Sequence, residues 1–249
     1  MIDPRNPLLE ISGLTKRFGG VEALVGVDFV VHRHEVVALV GDNAAGKSTL
    51  ARTLAGVLAP DEGSIRLKGK EVSLSSPIIA LRHGIASVFQ ETSLCDNLDV
   101  VSNIFLGREV FDHRLLDDEE MELRARSYLD RLGARIPDLR VPLRRLTAGQ
   151  RQCVAVARTL VSDPDLVILD EPTASMSIAQ TAEVLMHVAR LRDLGIGVVY
   201  ISHNLTDVVT IADRVEVFRH GRNNGSFVAP DLNAEDIIAA ITGASRVAL

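Results

Sequence analysis

The order of apolar and polar positions divides the chain into strand-like and helix-like stretches. Short apolar runs at residues 8–11, 23–31 and 35–40 end at glycines or charged residues, which is typical of β-strands. Over residues 47–58, leucines recur at four-residue steps and predict a helix. After Pro164, apolar strands and periodic helices alternate again. This alternation predicts βαβ units and an α/β fold with a parallel sheet.

The middle of the chain is helical rather than strand-like in its pattern. Acidic residues at 117–120 open a helix with apolar positions on one face, and Gly133 is placed as its end. We therefore predict a core formed by residues 1–91 and 164–249. A helical subdomain of about 92–163 is inserted into it.

Composition and charge exclude several classes of protein. With 249 residues, of which 47% are hydrophobic, the chain is long enough to bury a core without disulfides or a structural metal. Cys95 and Cys153 are too far apart for a metal or redox pair, and we expect buried, unpaired thiols in a reducing compartment. The start resembles no signal peptide and no long apolar stretch occurs, so we expect a cytoplasmic protein that does not span a membrane. A net charge of -6 argues against broad, non-specific nucleic-acid binding, and leaves a local basic patch open.

One segment matches the phosphate-loop pattern GxxxxGK[ST] between an apolar run and a helix. We predict that it binds nucleotide through Gly41, Asp42, Asn43, Ala44, Ala45, Gly46, Lys47, Ser48 and Thr49. Backbone N–H groups at a helix N-terminus face the anion, Lys47 contacts the β- and γ-phosphates, and the Ser48 hydroxyl ligates Mg²⁺. The alternative is a glycine-rich turn that happens to carry Lys-Ser.

Two carboxylates follow the apolar run at residues 166–169. Such a run is typical of a buried parallel strand, whose carboxyl end meets the ligand crevice. We expect Asp170 to hold Mg²⁺ and Glu171 to orient the attacking water or take its proton. The alternative is an Asp-Glu pair at a solvated strand end.

A third segment carries a family resemblance that extends over nearly the whole chain. It resembles the signature motif of ATP-binding cassette ATPases, and its residues are Leu146, Thr147, Ala148, Gly149 and Gln150. Alone, it would be a helix N-cap with a polar first turn. The resemblance implies a P-loop NTPase with a RecA-like sheet, an N-terminal antiparallel β subdomain and a helical subdomain. It also implies that the signature acts in trans, on ATP held by a second cassette.

Three further positions fit the same family. Gln90 matches a glutamine that touches Mg²⁺ and water, and His203 matches a histidine that contacts the γ-phosphate. Phe18 matches the aromatic residue that stacks on adenine, although an aromatic in a loop is more often packing. Together with Glu171 and Lys47, Gln90 and His203 form the predicted catalytic set.

The chain departs from the family pattern at several positions. Ala44 replaces a glycine in the phosphate loop, which costs roughly 1 kcal/mol or more if that position needs a positive φ. In the signature, Ala148 replaces a glycine and Thr147 replaces a serine. Ser177 stands where the family usually has an aspartate, in the loop that communicates between subunits.

Within the family, residues 103–109 and 201–205 resemble the ATPase subunits of bacterial importers for ribose, xylose, fructose or inositol. The resemblance implies an ATPase on the cytoplasmic face of the membrane that powers monosaccharide import. A single phosphate loop and a single signature imply a homodimer, paired with membrane-spanning permease subunits and, indirectly, with an extracytoplasmic sugar-binding protein. Two alternatives stay open: a weakly hydrolysing regulatory subunit, and a soluble cassette ATPase without a transport role.

Overall fold

The computed structural model describes residues 6–90 and 93–244. The strands are β1 (Leu9–Phe18), β2 (Val21–Val31), β3 (Val36–Gly41), β4 (Glu62–Leu67), β5 (Lys70–Glu71), β6 (Ile85–Val88), β7 (Phe111–Asp112), β8 (Leu115–Leu116), β9 (Leu166–Asp170), β10 (Gly197–Ile201), β11 (Arg214–Arg219) and β12 (Arg222–Val228). The helices are α1 (Lys47–Leu54), α2 (Pro77–Arg82), α3 (Val100–Phe105), α4 (Asp118–Arg131), α5 (Ala148–Leu160), α6 (Ile178–Asp193), α7 (Leu205–Ile211) and α8 (Ala234–Thr242).

A largely parallel sheet forms the centre of the protein, in the order β12-β11-β3-β10-β9-β6. Every neighbouring pair from β11 to β6 is parallel, and only β12 runs antiparallel to its neighbour. Strands β3, β9 and β10 are buried along their whole length, as uninterrupted apolar runs require. The predicted α/β fold is confirmed, and the carboxyl ends of β3, β6, β9 and β10 share one edge.

A second, antiparallel sheet has the order β2-β1-β4-β5 and covers one face of the parallel sheet. Alternate residues of β3 join different parts of the core. Val37 and Leu39 pack with the antiparallel sheet and α1, whereas Val36, Ala38 and Val40 face the helices of the opposite side. Each such fully buried valine or leucine contributes roughly 1.5–3 kcal/mol, so both faces hold the phosphate-loop strand in place.

Three helices, α3, α4 and α5, follow one another in the middle of the chain and pack together through a shared apolar cluster. Asn103 in α3 is fully buried, and its side chain pairs with backbone groups of Cys95, Leu98 and Asp99. These bonds fix the loop that leads into α3. The short hairpin β7–β8 lies between α3 and α4 and was not expected from the sequence.

The structure corrects two local predictions. Helix α1 ends at Leu54 rather than at Leu58, because Gly56 has a φ of 72° and the chain turns there. A Cβ at Gly56 would lie 2.4 Å from the carbonyl oxygen of Ser76, so the close approach also favours glycine. Cys153 is buried as expected, and burial raises the pKa of its thiol to about 12, but Cys95 is only half-buried. Neither forms a disulfide within the described ranges.

Among the helices of residues 6–90 and 93–244, none combines the length and the apolar character needed to cross a membrane.

Candidate nucleotide site

The phosphate loop connects β3 to α1, and two of its glycines are required by close backbone approaches. Gly41 has a φ of 149°, and a Cβ there would lie 2.2 Å from the carbonyl oxygen of Phe218. Gly46 has a φ of 103°, and a Cβ there would lie 2.6 Å from the carbonyl oxygen of Ala23. The loop is therefore held between strand β11 on one side and strand β2 on the other.

The rest of the loop leaves its tip open to solvent. Asp42, Asn43 and Ala44 are exposed, whereas Ala45 is buried and donates its N–H to the carbonyl of Asp42 at 3.1 Å. Ala44 has a φ of 64°, in the left-handed region that disfavours residues other than glycine. The strain expected at Ala44 is thus present in the folded chain.

Lys47 begins α1 and turns its side chain back over the loop. Its Nζ donates hydrogen bonds to the carbonyl oxygens of Gly41 at 2.7 Å and Asp42 at 2.9 Å. Burial lowers the pKa of the Lys47 ammonium, and the charges of Glu171 and Asp170 oppose that shift. The side chain thus places a positive charge among acceptors at the mouth of the loop, as phosphate binding requires.

Ser48 and Asp170 come together from different elements. The Ser48 hydroxyl, at the start of α1, bonds the carboxylate of Asp170 at the end of β9. Asp170 is 8% exposed. Burial, together with the charge of Glu171, raises the pKa of Asp170, while Arg52, Lys47 and the Ser48 bond act in the opposite direction. Thr49, the next residue of α1, is half-buried.

Arg52 is a member of this site that our sequence reasoning missed. Its charge favours the ionised form of Asp170. A usable signal was present, because Arg52 follows Ser48 by four residues and the two therefore share one face of α1. Helix α1 thus carries two residues, Ser48 and Arg52, that act on the Asp170 carboxylate.

Glu171 and His203 meet across the ends of β9 and β10. His203 Nδ1 lies 2.7 Å from Oε2 of Glu171, and the histidine side chain is 71% exposed while that of Glu171 is 16% exposed. Glu171 has a φ of 51°, and its N–H donates to the carbonyl of Ile201 at 2.9 Å. A residue held at a positive φ is a strained residue, and here the strain turns the carboxylate towards His203.

Within residues 6–90 and 93–244, no hydrogen bond or ion pair joins Gln90 or Phe18 to the residues described above. In parallel strands β6 and β9, Val88 pairs with Leu169, so exposed Gln90 follows at the same edge as Asp170. Phe18 ends β1 and is 47% exposed, with the Lys16 ammonium 5.6 Å from its ring centroid. Its strand pairs with β2, which contacts the phosphate loop.

The signature segment forms the start of α5. Thr147 is the N-cap, and it exchanges hydrogen bonds with Gln150 in a capping box. Leu146 is half-buried, Thr147 and Ala148 are exposed, and Gly149 is buried where a Cβ would lie 2.9 Å from the Glu183 carboxylate of α6. In the described residues, no hydrogen bond or ion pair joins this segment to the phosphate loop of the same chain.

Ser177, at the family's usual aspartate position, has a structural task of its own. It caps α6 through a capping box in which its hydroxyl accepts from the Gln180 N–H and the Gln180 side chain accepts from the Ser177 N–H. Serine and aspartate are both good N-caps, so this exchange preserves the start of the helix.

Lys47, Ser48, Asp170, Glu171 and His203 thus converge at the carboxyl edge of a parallel sheet, around a glycine-bounded loop. This fold and this arrangement define an α/β nucleotide-binding protein of the phosphate-loop class. Residues 24–174 match the family described as ABC transporter. The chain belongs to the ABC transporter family.

Relatives of known name cover most of the chain. It is 39% identical to the fructose import ATP-binding protein FrcA of Rhizobium meliloti over 250 residues, covering 97% of this chain and 96% of that protein. It is 39% identical to the xylose/arabinose import ATP-binding protein XylG of Sulfolobus acidocaldarius, covering 94% of each. It is also 39% identical to the ribose import ATP-binding protein RbsA of Yersinia pestis, but spans only 46% of that relative. The chain is therefore about half the length of the ribose-import relatives.

Solved structures show the same fold. A nucleotide-free ATP-binding cassette from an ABC transporter superposes with a TM-score of 0.82 at 25% identity, covering 95% of both chains. The cbiO1 protein of Clostridium perfringens, part of the ABC transporter complex cbiONQ, gives a TM-score of 0.80 at 30% identity, covering 94% of this chain and 93% of that one.

Proposed function

We propose that this chain is the ATP-hydrolysing subunit of a transporter that imports a monosaccharide across the cell membrane. The observation that carries the proposal is the convergence of Lys47, Ser48 and Asp170 with the Glu171–His203 pair at one sheet edge. Three relatives support a sugar as the cargo, because they are named as import proteins for fructose, for xylose or arabinose, and for ribose.

In this proposal Lys47 and the loop N–H groups of residues 41–48 bind the phosphates of ATP, and Phe18 stacks on the adenine. Ser48 and Asp170 fit Mg²⁺, because a hydroxyl and a carboxylate already in contact form an oxygen donor set of the kind that Mg²⁺ prefers. Gln90, at the neighbouring strand end, completes that set. Bound there, Mg²⁺ would neutralise charge on the β- and γ-phosphate oxygens.

Glu171 and His203 carry the hydrolytic step. The Glu171 carboxylate orients a water molecule for attack on the γ-phosphate and accepts its proton. The His203 imidazole, within hydrogen-bond distance of that carboxylate, steers it and contacts the γ-phosphate. The buried, positively charged Lys47 stabilises the charge that develops on the transferred group.

The proposal extends to partners and location. Two copies of the chain pair so that Leu146 to Gln150 of one copy close over ATP held by the other. The dimer docks from the cytoplasmic side onto permease subunits that span the membrane, and an extracytoplasmic binding protein delivers the sugar. Residues of about 92–163 act as a helical subdomain on the core of 1–91 and 164–249, and transmit closure to the permease.

An ATPase measurement tests the catalytic part. Glu171→Gln should lower the rate to near background, because the amide cannot accept a proton from water, while ATP binding persists. The matched control is Glu119→Gln, at an exposed position in the first turn of α4, and it should hydrolyse ATP like the wild type. Equal, near-background rates for wild type and Glu171→Gln would instead support the weakly hydrolysing regulatory alternative.

A pull-down from native membranes tests the transport part. The tagged chain, solubilised in mild detergent, should bring down a protein with several membrane spans, identified by mass spectrometry. Sugar uptake in cells that carry Glu171→Gln should then fail for the cargo of that permease. Recovery of soluble proteins alone would favour a cassette ATPase without a transport role.

A further inference from the structure

A group of buried polar side chains lies directly beneath the Glu171–His203 pair and has no role in the site described above. Tyr200 is fully buried, Ser202 is 1% exposed, Asp207 is 5% exposed and Thr173 is 8% exposed. Burying polar groups costs free energy unless they are hydrogen-bonded to one another. These four side chains therefore need hydrogen-bond partners inside the protein.

These side chains form a chain of hydrogen bonds whose direction is determined. The Asp207 carboxylate only accepts, so the Thr173 hydroxyl donates to its Oδ2 at 2.8 Å. Thr173 Oγ1 then accepts from the Tyr200 hydroxyl, 3.2 Å away, and burial, which raises the pKa of Tyr200 to about 12, keeps that proton in place. The side chain of Ser202 also interacts with the Tyr200 hydroxyl and acts against the effect of burial on its pKa.

Asn204 closes the chain into a ring. Its backbone N–H donates to Ser202 Oγ at 3.0 Å, and its side-chain amide donates to Asp207 Oδ1 at 3.0 Å. Thr173 thus both donates and accepts within the ring, and both Asp207 oxygens are used. Removal of one hydroxyl leaves a buried donor and a buried acceptor without partners at the same time.

The ring connects the two loops that carry the hydrolytic groups. Thr173 follows Glu171 by two residues, and Asn204 follows His203 directly. One oxygen of Asp207 holds the first loop, and the other holds the second. The exposed His203 side chain pairs with Glu171, so its position depends on the loop that carries it.

We propose that Thr173 and Asp207 are positioning residues, which fix the distance between the Glu171 carboxylate and the His203 imidazole through the hydrogen-bond ring. In this role both residues, which are buried, act through the two loops and not on the nucleotide. Their effect on turnover rests on the proposed ATPase function, whereas their effect on the Glu171–His203 contact does not.

Thr173→Val tests the ring at its centre, because valine keeps the shape and removes the hydroxyl. We expect kcat for ATP to fall about ten-fold, since misplacement of catalytic groups by less than an ångström is costly. KM should be unchanged, because the phosphate loop is not altered. Thr173→Ser restores a hydroxyl and should recover most of kcat. The control Thr159→Val removes another buried threonine hydroxyl, which bonds a carbonyl within α5, and should keep the wild-type kcat.

A double-mutant comparison separates positioning from loss of stability. If Thr173 acts through His203, then Thr173→Val should lower kcat little further in the His203→Ala background. An equal fold-loss in both backgrounds would overturn the proposal, as would a Thr173→Val enzyme with wild-type kcat per folded molecule. The folded fraction is measured by thermal unfolding for each variant. Should Thr173→Val not fold, Asp207→Asn takes its place, with the same expectations.

A spectroscopic measurement needs no turnover. In protein with ¹⁵N-labelled histidine, the His203 imidazole resonance is assigned by its absence in His203→Gln. Glu171→Gln should shift that resonance in the wild-type chain, and the shift should shrink in Thr173→Val. An undiminished shift would refute the positioning role even if the protein hydrolyses no ATP. A diminished shift in a chain without ATPase activity would leave the positioning role standing and refute only the proposed function.

Discussion

At the scale of single residues, Ala44 is a strained position inside the phosphate loop. Its φ of 64° lies in the left-handed region, which costs a non-glycine residue roughly 1–2 kcal/mol. Ala44→Gly removes that cost but adds conformational entropy to the unfolded chain, worth about 0.4–1 kcal/mol. We expect a net gain in the free energy of unfolding of about 0.5 kcal/mol in urea titrations. A loss of stability would show that the alanine methyl group makes contacts that offset its strain.

Asp170 predicts a dependence of stability on pH. Burial and the charge of Glu171 raise its pKa, so ionised Asp170 costs folding free energy above the raised pKa. The cost disappears as pH falls through the window between the raised value and the ordinary one. Asp170→Asn should therefore raise the melting temperature at neutral pH, measured with EDTA and without nucleotide, although it should abolish ATPase activity.

The control for this prediction is the pH series itself. The advantage of Asp170→Asn over the wild type should shrink as pH falls through the raised pKa of Asp170, because the folded wild type then binds the proton that removes the buried charge. An advantage that is constant from pH 7 to pH 4 would show that the buried charge is not its origin.

At the scale of elements, the start of α6 predicts a difference between two replacements of Ser177. The Ser177 hydroxyl accepts the Gln180 N–H, and this cap is worth about 1 kcal/mol. Ser177→Ala should lower the free energy of unfolding by about that amount. Ser177→Asp keeps an acceptor and adds a negative charge at a helix N-terminus, so it should be at least as stable as wild type. Urea unfolding of the two variants decides, and equal losses for both would contradict the capping role.

Elements were predictable from sequence where local chemistry determines them. The acidic start of α4 and its end near Gly133 follow from capping rules, and the structure has α4 over Asp118–Arg131. The end of α1 did not follow from periodicity, because the leucine at position 58 continues the pattern while Gly56 turns the chain against Ser76. That contact joins segments twenty residues apart, and a four-residue spacing carries no information about it.

At the scale of the whole molecule, the site too contains residues that local sequence predicts and residues that only the tertiary fold brings together. Short sequence motifs that are typical of phosphate binding contain four of the site residues, namely Lys47, Ser48, Asp170 and Glu171. Thr173 and Asp207 do not, because they meet only after β9 and β10 pair in parallel and α7 packs behind them. Their residue types are ordinary, and only the pairing of the strands gives them a common position. The sequence therefore identifies the reacting groups more readily than it identifies the residues that hold those groups in position.

In a homodimer, the signature of one copy is expected to act on ATP held by the other copy, and two complementary variants test this. Lys47→Ala disables the phosphate loop. Ala148→Asp places a carboxylate at the exposed N-terminus of α5, where it favours the helix but repels a γ-phosphate brought there by a partner. Each variant alone should be nearly inactive. When the two variants are mixed in equal amounts, half of the dimers pair an intact loop with an intact signature at one of their two sites, so activity should return to about a quarter of wild type.

Ala148→Ser in place of Ala148→Asp is the matched control and should be active without a partner variant. If the mixture is no more active than its components, the signature does not act across a homodimer, and each chain either works alone or pairs with a different cassette.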